Sequence, residues 1–214
     1  MTRGIYNHPL ALLYEKLIII LLNKVVGSLE NIELLPEGIL KAFLAGCHHF
    51  KKGLISKASF IEEAFPHYKM LVDYDVWALI REIVCDNSNK WPEDIQTVAS
   101  LLYNRNKVYK IMRLNQRHQD VDNKTMQKVV SKHGLKDWQI MSLSSSVQTY
   151  KEASSPLYIK EEGRKASDLT KHSHIMHYLG GREEQYRYLA VHKDINPAKI
   201  FKEFGVDIDV DEAL

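Results

Sequence analysis

The hydrophobic pattern of this chain changes its period near residue 107, and that change limits the fold more than any other feature of the sequence. Between residues 72 and 105, apolar residues recur at helical spacing in two runs. We expect Asp73 to cap the first run, and Pro92 with Glu93 to open the second. Residues 108–112 then favour a strand. The pattern indicates a helical half followed by a mixed half, although two core helices and a connector would give the same periodicity.

The helical half is expected to contain three further helices. Residues 10–26 predict one long helix closed by Gly27, and it is apolar on nearly every side, which is typical of a core helix or an oligomer interface. Residues 36–50 predict a second helix. Ser59 with Glu62 resembles a capping box for a short third helix, which we expect Pro66 to end.

The mixed half is expected to alternate strands with helices. The predicted order is a strand at 108–114, a helix at 122–133, a strand at 138–143, a hairpin of 156–160 with 164–167, a helix at 168–179, a strand at 185–192 and a short helix at 197–204. Strand, helix, strand, strand, helix, strand is the ferredoxin-like (βαββαβ) order. We therefore predict an α+β protein, with an all-helical lobe over 1–106 and a ferredoxin-like C-terminal domain over 107–214.

Composition excludes few classes of protein. The formal charge of +2 over 214 residues does not demand a nucleic acid or a membrane as partner. No apolar run approaches the roughly 20 residues that a membrane span needs. Cys47 and Cys85 form no disulfide framework and suit a reducing compartment, so we expect a cytoplasmic protein. Nucleic acid is disfavoured because the predicted strands lack paired surface aromatics.

The sequence contains no group of residues whose types and spacing identify a catalytic site. Cys47, His48 and His49 are potential metal ligands, but successive helical positions diverge by about 100° and do not easily share one ion. His174 and His177 lie at i, i+3 without a third ligand in the pattern, and a solvated helix face accounts for them. We therefore predict no catalytic residue and no metal site in this chain.

The order of motifs resembles the HD-domain phosphohydrolases of the deoxynucleoside triphosphate triphosphohydrolase type. The similar features are an Asp73-Tyr74-Asp75-Val76 helix, a second helix, an Arg-rich turn that ends in Tyr109-Lys110, and an opening Arg3-x-x-Tyr6-x-His8. A Ser155-Pro156-Leu157-Tyr158-Ile159 strand, Gly163, Asp168-Leu169 and Tyr186–Val191 continue the likeness toward the C-terminus. It runs from Arg3 to Val191, with 120–154 poorly matched.

The resemblance implies roles for the opening residues. It makes Tyr6 a packing group against sugar or base, His8 a partner of phosphate, and Arg3 part of the same substrate-binding segment. The alternative is that these residues match by chance or only cap a helix. Members of this family hold a divalent metal through a His-Asp pair upstream of this segment, and no His-Asp dipeptide occurs in this sequence.

The resemblance also implies a regulatory nucleotide site at Arg105 and Lys110, since basic residues of this turn contact a nucleotide between subunits in regulated relatives. Guanidinium and ammonium groups suit phosphate. The alternative is a solvated run of charge.

Taken with the resemblance, the sequence predicts the C-terminal part of such a phosphohydrolase without its catalytic core. This part would supply a pocket edge, oligomer contacts and a regulatory site, it would self-associate, and it would not catalyse hydrolysis on its own. The alternative is a non-catalytic ligand- or protein-binding scaffold with a ferredoxin-like domain.

Overall fold

Helices fill the first half of the chain and strands enter in the second, in a computed structural model that describes residues 8–114 (apart from 87 and 89), 123–148, 158–160, 165–168 and 183–204. The helices are α1 Pro9–Gly27, α2 Leu29–Glu33, α3 Ile39–Lys51, α4 Lys57–Ser59, α5 Phe65–Met70, α6 Asp73–Cys85, α7 Glu93–Asn104, α8 Asn123–His133 and α9 Pro197–Glu203, with a π-helical turn at Phe60–Ala64. The strands are β1 Tyr109–Arg113, β2 Ile140–Gln148, β3 Tyr158–Ile159, β4 Ser167–Asp168 and β5 Glu183–His192.

Helix α1 is the central element of the described core. Its sequence places Leu13, Leu17, Leu21 and Val25 at helical spacing, and all four are buried. They pack where α1 contacts α7 and β2. The predicted helix is therefore confirmed, and this stripe belongs to the core. No helix of the described residues, α1 included, has the length and apolar character to cross a membrane.

The chain between α3 and α6 differs from its prediction. The predicted helix at 36–50 is observed as α3, preceded by the separate short helix α2. The predicted cap Ser59 is wrong, because the Oγ of Ser56 accepts a hydrogen bond from the Ser59 backbone N–H at 3.1 Å. The prediction that Pro66 ends a helix is also wrong, since Pro66 lies in the first turn of α5.

The π-helical turn Phe60–Ala64 explains why Pro66 is tolerated. Proline lacks the N–H that bonds the carbonyl four residues earlier, and its ring clashes with that carbonyl in a regular α-helix. The π-helical turn directly before α5 replaces this spacing with a wider i→i+5 pattern. Residues 57–70 therefore continue as one helical segment through the proline.

The pair α6 and α7 follows the sequence closely, with one shift at its start. The backbone N–H of Val72 donates to the Oδ2 of Asp75 at 2.9 Å, so Val72 occupies the cap position and the predicted cap Asp73 is the first residue of α6. Helix α7 begins after Pro92, as predicted, and ends at Asn104.

The larger sheet has the order β1-β5-β2, with β5 antiparallel to both neighbours. Strands β1 and β2 are therefore parallel to each other and are connected through α8. Strands β3 and β4 pair antiparallel near the predicted hairpin, but the second strand lies at 167–168 instead of 164–167, and the two form a separate two-stranded pair. The α+β class is confirmed. The ferredoxin-like arrangement is not, because β5 occupies the position between β1 and β2. The predicted helix at 168–179 lies outside the described residues, apart from Asp168 in β4.

The two faces of the larger sheet pack against different layers. One face presents Tyr109 and Met141 to the helical lobe, which is α1–α7 with the π-helical turn, and the other presents Ile140 and Leu189 to α8 and α9. Alternation along the strands produces this division. The apolar core thus runs without interruption from the lobe into the sheet. The proposed boundary between residues 106 and 107 stays a prediction.

Helix α3 packs closely on the π-helical turn at one small residue. A Cβ added to Gly46 would overlap the Cβ of Ala64, which is itself buried. The missing side chain of Gly46 therefore sets the approach of α3 to this turn.

Gly46→Ala should lower the free energy of unfolding by about 1–3 kcal/mol, because overpacking forces α3 away from the π-helical turn. Urea unfolding monitored by circular dichroism measures this change. Gly27→Ala is the matched control, since a Cβ at Gly27 meets no atom within 4 Å. An unchanged Gly46→Ala midpoint would contradict the close packing.

Candidate functional site

His8 is the one residue of the predicted substrate-binding segment that the structure describes; Arg3 and Tyr6 lie outside the described residues. His8 precedes α1, and its Nδ1 accepts a hydrogen bond from the backbone N–H of Leu10 at 3.3 Å. The side chain is exposed. Its helix-capping role is therefore observed, whereas a role toward phosphate stays a prediction.

Arg105 stands at the end of α7 in an unusual backbone conformation. Its φ of 49° and ψ of 34° lie in the left-handed region, which a non-glycine residue occupies at some cost. The guanidinium Cζ lies 5.2 Å from the centroid of the Trp77 ring, and this cation–π contact contributes about 0.5–1 kcal/mol at an exposed site. Arg105 is thus exposed, with its guanidinium placed against Trp77 of α6.

Lys110 lies on β1 opposite Val191 of β5. Its neighbours Tyr109 and Ile111 pack toward the helical lobe, so alternation places Lys110 on the other face, with Met112. Arg105, in contrast, packs on the lobe. The described structure therefore does not bring the two predicted regulatory cations into one pocket within a single copy.

An aromatic cleft of about 400 Å³ lies beside Arg105. We give this name to the concavity lined by Tyr74, Trp77, Ala78, Arg81, Glu82, Cys85 and Tyr103. The six α6 residues recur at i, i+3, i+4, i+7, i+8 and i+11, so they share one face of that helix. The sequence pattern placed α6 in the core through its buried face, and the face of α6 that lines the cleft was not predicted. The cleft combines flat aromatic surface with the Arg81 cation, and Arg105 adds a second cation against its Trp77 ring.

A polar groove of about 410 Å³ lies on the opposite side of α7 from its buried face. It is lined by Glu93, Gln96, Thr97, Ser100, Leu101, Asn104, Asn106, Trp138, His192 and Asp194. The α7 contributors are mostly amides and hydroxyls on one helix face. The i, i+3, i+4, i+7 recurrence of polar residues in α7 was available from the sequence, but the groove wall from β5 was not.

His192 is the buried titratable group of the polar groove, with 5% of its surface exposed. Its ring makes edge contacts with Tyr109 and Trp138 at centroid distances of 5.1 and 5.2 Å. Nδ1 accepts from the Asp194 backbone N–H at 3.3 Å and lies 3.3 Å from the Asp194 carboxylate. Burial lowers the pKa of His192, and the Asp194 carboxylate opposes that shift. The neutral imidazole is therefore the favoured form, and its proton is on Nε2.

Tyr109 fixes the floor under His192. Its hydroxyl donates to the Trp138 carbonyl at 2.7 Å, and burial raises the pKa of the phenol above its usual range. Tyr109 is therefore a structural hydrogen-bond donor at neutral pH.

An ion network joins the lobe to the segment before β2, next to the groove. Asp94 of α7 lies 3.0 Å from Lys24 Nζ of α1 and 2.7 Å from Lys136 Nζ, and Lys24 Nζ also lies 3.0 Å from Asp137. Trp138 Nε1 donates to Asp94 at a long 3.4 Å. Partial burial would raise the pKa of Asp94, but the hydrogen bonds from Lys136, Lys24 and Trp138 outweigh it and lower the pKa to about 2.

Asp94→Asn should lower stability at pH 7 by about 1 kcal/mol, because a third of the carboxylate is exposed and solvent screens the ion pairs. A carboxyl with a lowered pKa contributes stability above its ordinary value of 3.8, and that contribution is lost as the pH falls toward 2. The variant should therefore lose less stability than wild type between pH 4 and pH 2. Thermal unfolding across this range measures it, with the exposed Glu15→Gln as control. Parallel wild-type and variant curves would contradict the network.

The described residues contain no group of three or more side chains suited to hold a metal ion. Of the Cys47-His48-His49 run, His48 is buried and its Nδ1 lies 2.7 Å from the Val26 carbonyl oxygen, which joins α3 to α1. This histidine serves packing. His174 and His177 lie outside the described residues.

Comparison with solved structures finds a likeness of fold. No protein-family model and no curated protein matches the chain. The crystal structure of a phosphohydrolase from Bacteroides thetaiotaomicron is similar in fold, with a TM-score of 0.58 and 16% sequence identity. The match covers 87% of this chain and 46% of that one. The chain therefore has an α+β fold like that of part of a phosphohydrolase, and it spans less than half the length of that protein.

Proposed function

We propose that this chain is the C-terminal part of an HD-domain phosphohydrolase that acts on nucleoside triphosphates. It contributes one edge of the nucleotide pocket, oligomer contacts and a regulatory nucleotide site, and it does not hydrolyse nucleotides on its own. A divalent metal would belong to the part of the parent enzyme that carries the His-Asp pair. Arg3, Tyr6 and His8 are the proposed pocket edge.

The fold likeness is the observation that carries this proposal. It pairs 87% of the chain with 46% of a phosphohydrolase, which is the relation expected between one part of an enzyme and a longer enzyme. The order of motifs from Arg3 to Val191 supports the same reading independently.

The regulatory site is proposed at Arg105, beside the aromatic cleft. A guanidinium suits a phosphate, and aromatic planes suit a base; the cleft places Trp77 and Tyr74 near two arginines. Lys110 lies on the face of β1 that points away from the helical lobe and so away from Arg105. We therefore propose that Lys110 contacts a nucleotide that is bound mainly by another copy of the chain. This agrees with a site located between subunits.

Arg105→Gly should weaken binding of a deoxynucleoside triphosphate by about 10-fold or more, the expected effect of losing a charge-assisted hydrogen bond. Glycine suits the left-handed backbone here and offsets the lost contact with Trp77, so the variant should be about as stable as wild type. Calorimetric titration with each of four deoxynucleoside triphosphates measures binding, and Trp77 fluorescence reports on the site.

The matched control is Lys107→Ala, which removes another exposed cation of the turn that contains Arg105. Arg81→Gly would not serve, because glycine would weaken α6. Equal affinity of wild type and Arg105→Gly would remove Arg105 from the site. Hydrolysis by the purified chain with magnesium or manganese, abolished by a substitution within it, would overturn the wider proposal.

His8 can be tested by separating its cap from its proposed phosphate contact. Asparagine also caps helices, so His8→Asn should retain the acceptor for the Leu10 N–H while losing the imidazole; His8→Ala loses both and about 1 kcal/mol of stability. In a protein that includes the upstream core, both variants should lower turnover while only His8→Ala lowers the melting temperature. Normal turnover of His8→Asn would exclude the pocket role.

The polar groove favours a second candidate, a non-catalytic scaffold that binds a small polar ligand. Buried His192 and the amides of α7 could bind such a ligand without any nucleotide chemistry. An HD-encoding segment directly upstream in the gene would support the phosphohydrolase, and its absence together with no nucleotide binding would support the scaffold.

A further inference from the structure

One corner of the helical lobe carries a continuous chain of aromatic rings, of which three are exposed and two, Phe43 and Phe60, are half-buried. Ring contacts run from Phe50 to Phe60 (5.1 Å between centroids), from Phe60 to Phe43 (6.5 Å), from Phe43 to Tyr68 (5.5 Å) and from Tyr68 to Phe65 (5.5 Å). Helix α3 supplies Phe43 and Phe50, and the segment 57–70 supplies the others. We name this surface, with the lysines described below, the aromatic–basic corner.

The corner groups more exposed apolar side chains than other parts of the described surface. Half of the large apolar side chains exposed among the described residues fall between positions 50 and 70, and they include Leu54 at 68% and Tyr68 at 54%. Exposed apolar side chains are normal when scattered, but a contiguous group marks a binding surface. The corner is therefore a candidate for covering by another segment.

Four exposed lysines accompany these rings, namely Lys51, Lys52, Lys57 and Lys69. None of them forms an ion pair with a carboxylate of the described residues, whereas Lys24, Lys41, Lys90, Lys132 and Lys136 do. Lys69 lies over the Phe65 ring, with Nζ 5.4 Å from its centroid. The segment 57–70 also exposes Glu62 and Glu63, so the four lysines leave a positive excess, and the complement of such a surface is a segment that alternates carboxylates with apolar side chains.

Residues 205–214 have this composition and lie outside the described residues. Their sequence is Gly-Val-Asp-Ile-Asp-Val-Asp-Glu-Ala-Leu, with apolar residues at 206, 208 and 210 and aspartates at 207, 209 and 211. In an extended conformation such alternation gives one apolar side and one acidic side. The apolar side suits the rings, and the flexible lysine stems can reach the carboxylates along the edges.

The position of α9 favours a second copy as the source of this segment. Ile200, Phe201 and Phe204 pack with Leu189 and Val191, on the face of the sheet that looks away from the helical lobe. The corner belongs to the lobe. Phe204, the last described residue, therefore lies on the far side of the sheet from the helical lobe.

We propose that the aromatic–basic corner binds residues 205–214 of a second copy of this chain. A reciprocal exchange would give a closed dimer with two identical contacts, the commonest symmetry of homo-oligomers. The proposal locates the oligomer contacts of the proposed function and rests on it only for the expectation of self-association. Nucleotide binding at Arg105 is a separate readout.

The test uses charge reversal on either side of the contact. The corner variant is Lys52→Glu/Lys57→Glu/Lys69→Glu, and the segment variant is Asp207→Lys/Asp209→Lys/Asp211→Lys. Each alone should weaken dimerisation by about 10-fold or more in sedimentation equilibrium, because like charges then meet. An equimolar mixture should restore hetero-dimers, since the reversed segment fits the reversed corner.

The matched control reverses Lys16, Lys124 and Lys128 to Glu; all three are exposed and lie outside the corner. It should dimerise like wild type. Equal weakening of the control, failure of the mixture to associate, or a monomeric wild-type chain at every concentration would overturn the proposal. The proposal would also be overturned if the wild-type chain were monomeric and floated with phosphatidylserine vesicles while the corner variant did not. The corner would then bind a lipid surface.

Discussion

The burial of α1 between helices and sheet is the interaction on which the rest of the structure depends. Its stripe from Leu13 to Val25 touches both α7 and β2, so one helix forms the floor of the lobe and the support of the sheet. Each fully buried Leu or Val contributes about 1.5–3 kcal/mol through the apolar surface removed from water. Both concavities depend on this support, since α7 forms one wall of the polar groove and supplies Tyr103 to the aromatic cleft.

Ion pairs between α7, α1 and the segment before β2 add specific contacts to that apolar packing. Asp94 is contacted by lysines from α1 and from the segment before β2, which fixes the position of α7 relative to β2. Trp138, which closes this network, also packs against His192. Protonation of His192 would replace an accepted bond from the Asp194 N–H by a donated bond to its carboxylate, within the wall of the polar groove. The network and the groove therefore share one set of supporting side chains.

Sequence periodicity predicted the helices and strands that are determined by residues close together in the sequence. Helices α1 and α7 and strands β1 and β5 follow from spacing, proline and glycine placement, and these predictions held. Local rules failed at Pro66, because they assume α-helical spacing and a π-helical turn changes it. The position of β5 between β1 and β2 depends on the sheet as a whole, which no local pattern encodes. The candidate sites depend on still longer separations: Lys24 and Asp94 are 70 residues apart. The roles of Arg105 and Lys110 came from family resemblance, which carries residue identity but not the face of β1 on which a side chain emerges.

The π-helical turn also sets the angular position of everything after it on the same helical segment. Each residue of a regular α-helix advances the side-chain direction by about 100°, so the extra residue in this turn rotates α5 relative to α4 by roughly that angle. Without that rotation Tyr68 would not lie against Phe43, and Phe65 would not stack on Tyr68. Insertion or deletion of one residue between Phe60 and Ala64 would therefore move these rings as a block while leaving their identities unchanged. The length of this turn, as much as its composition, is a property on which selection can act.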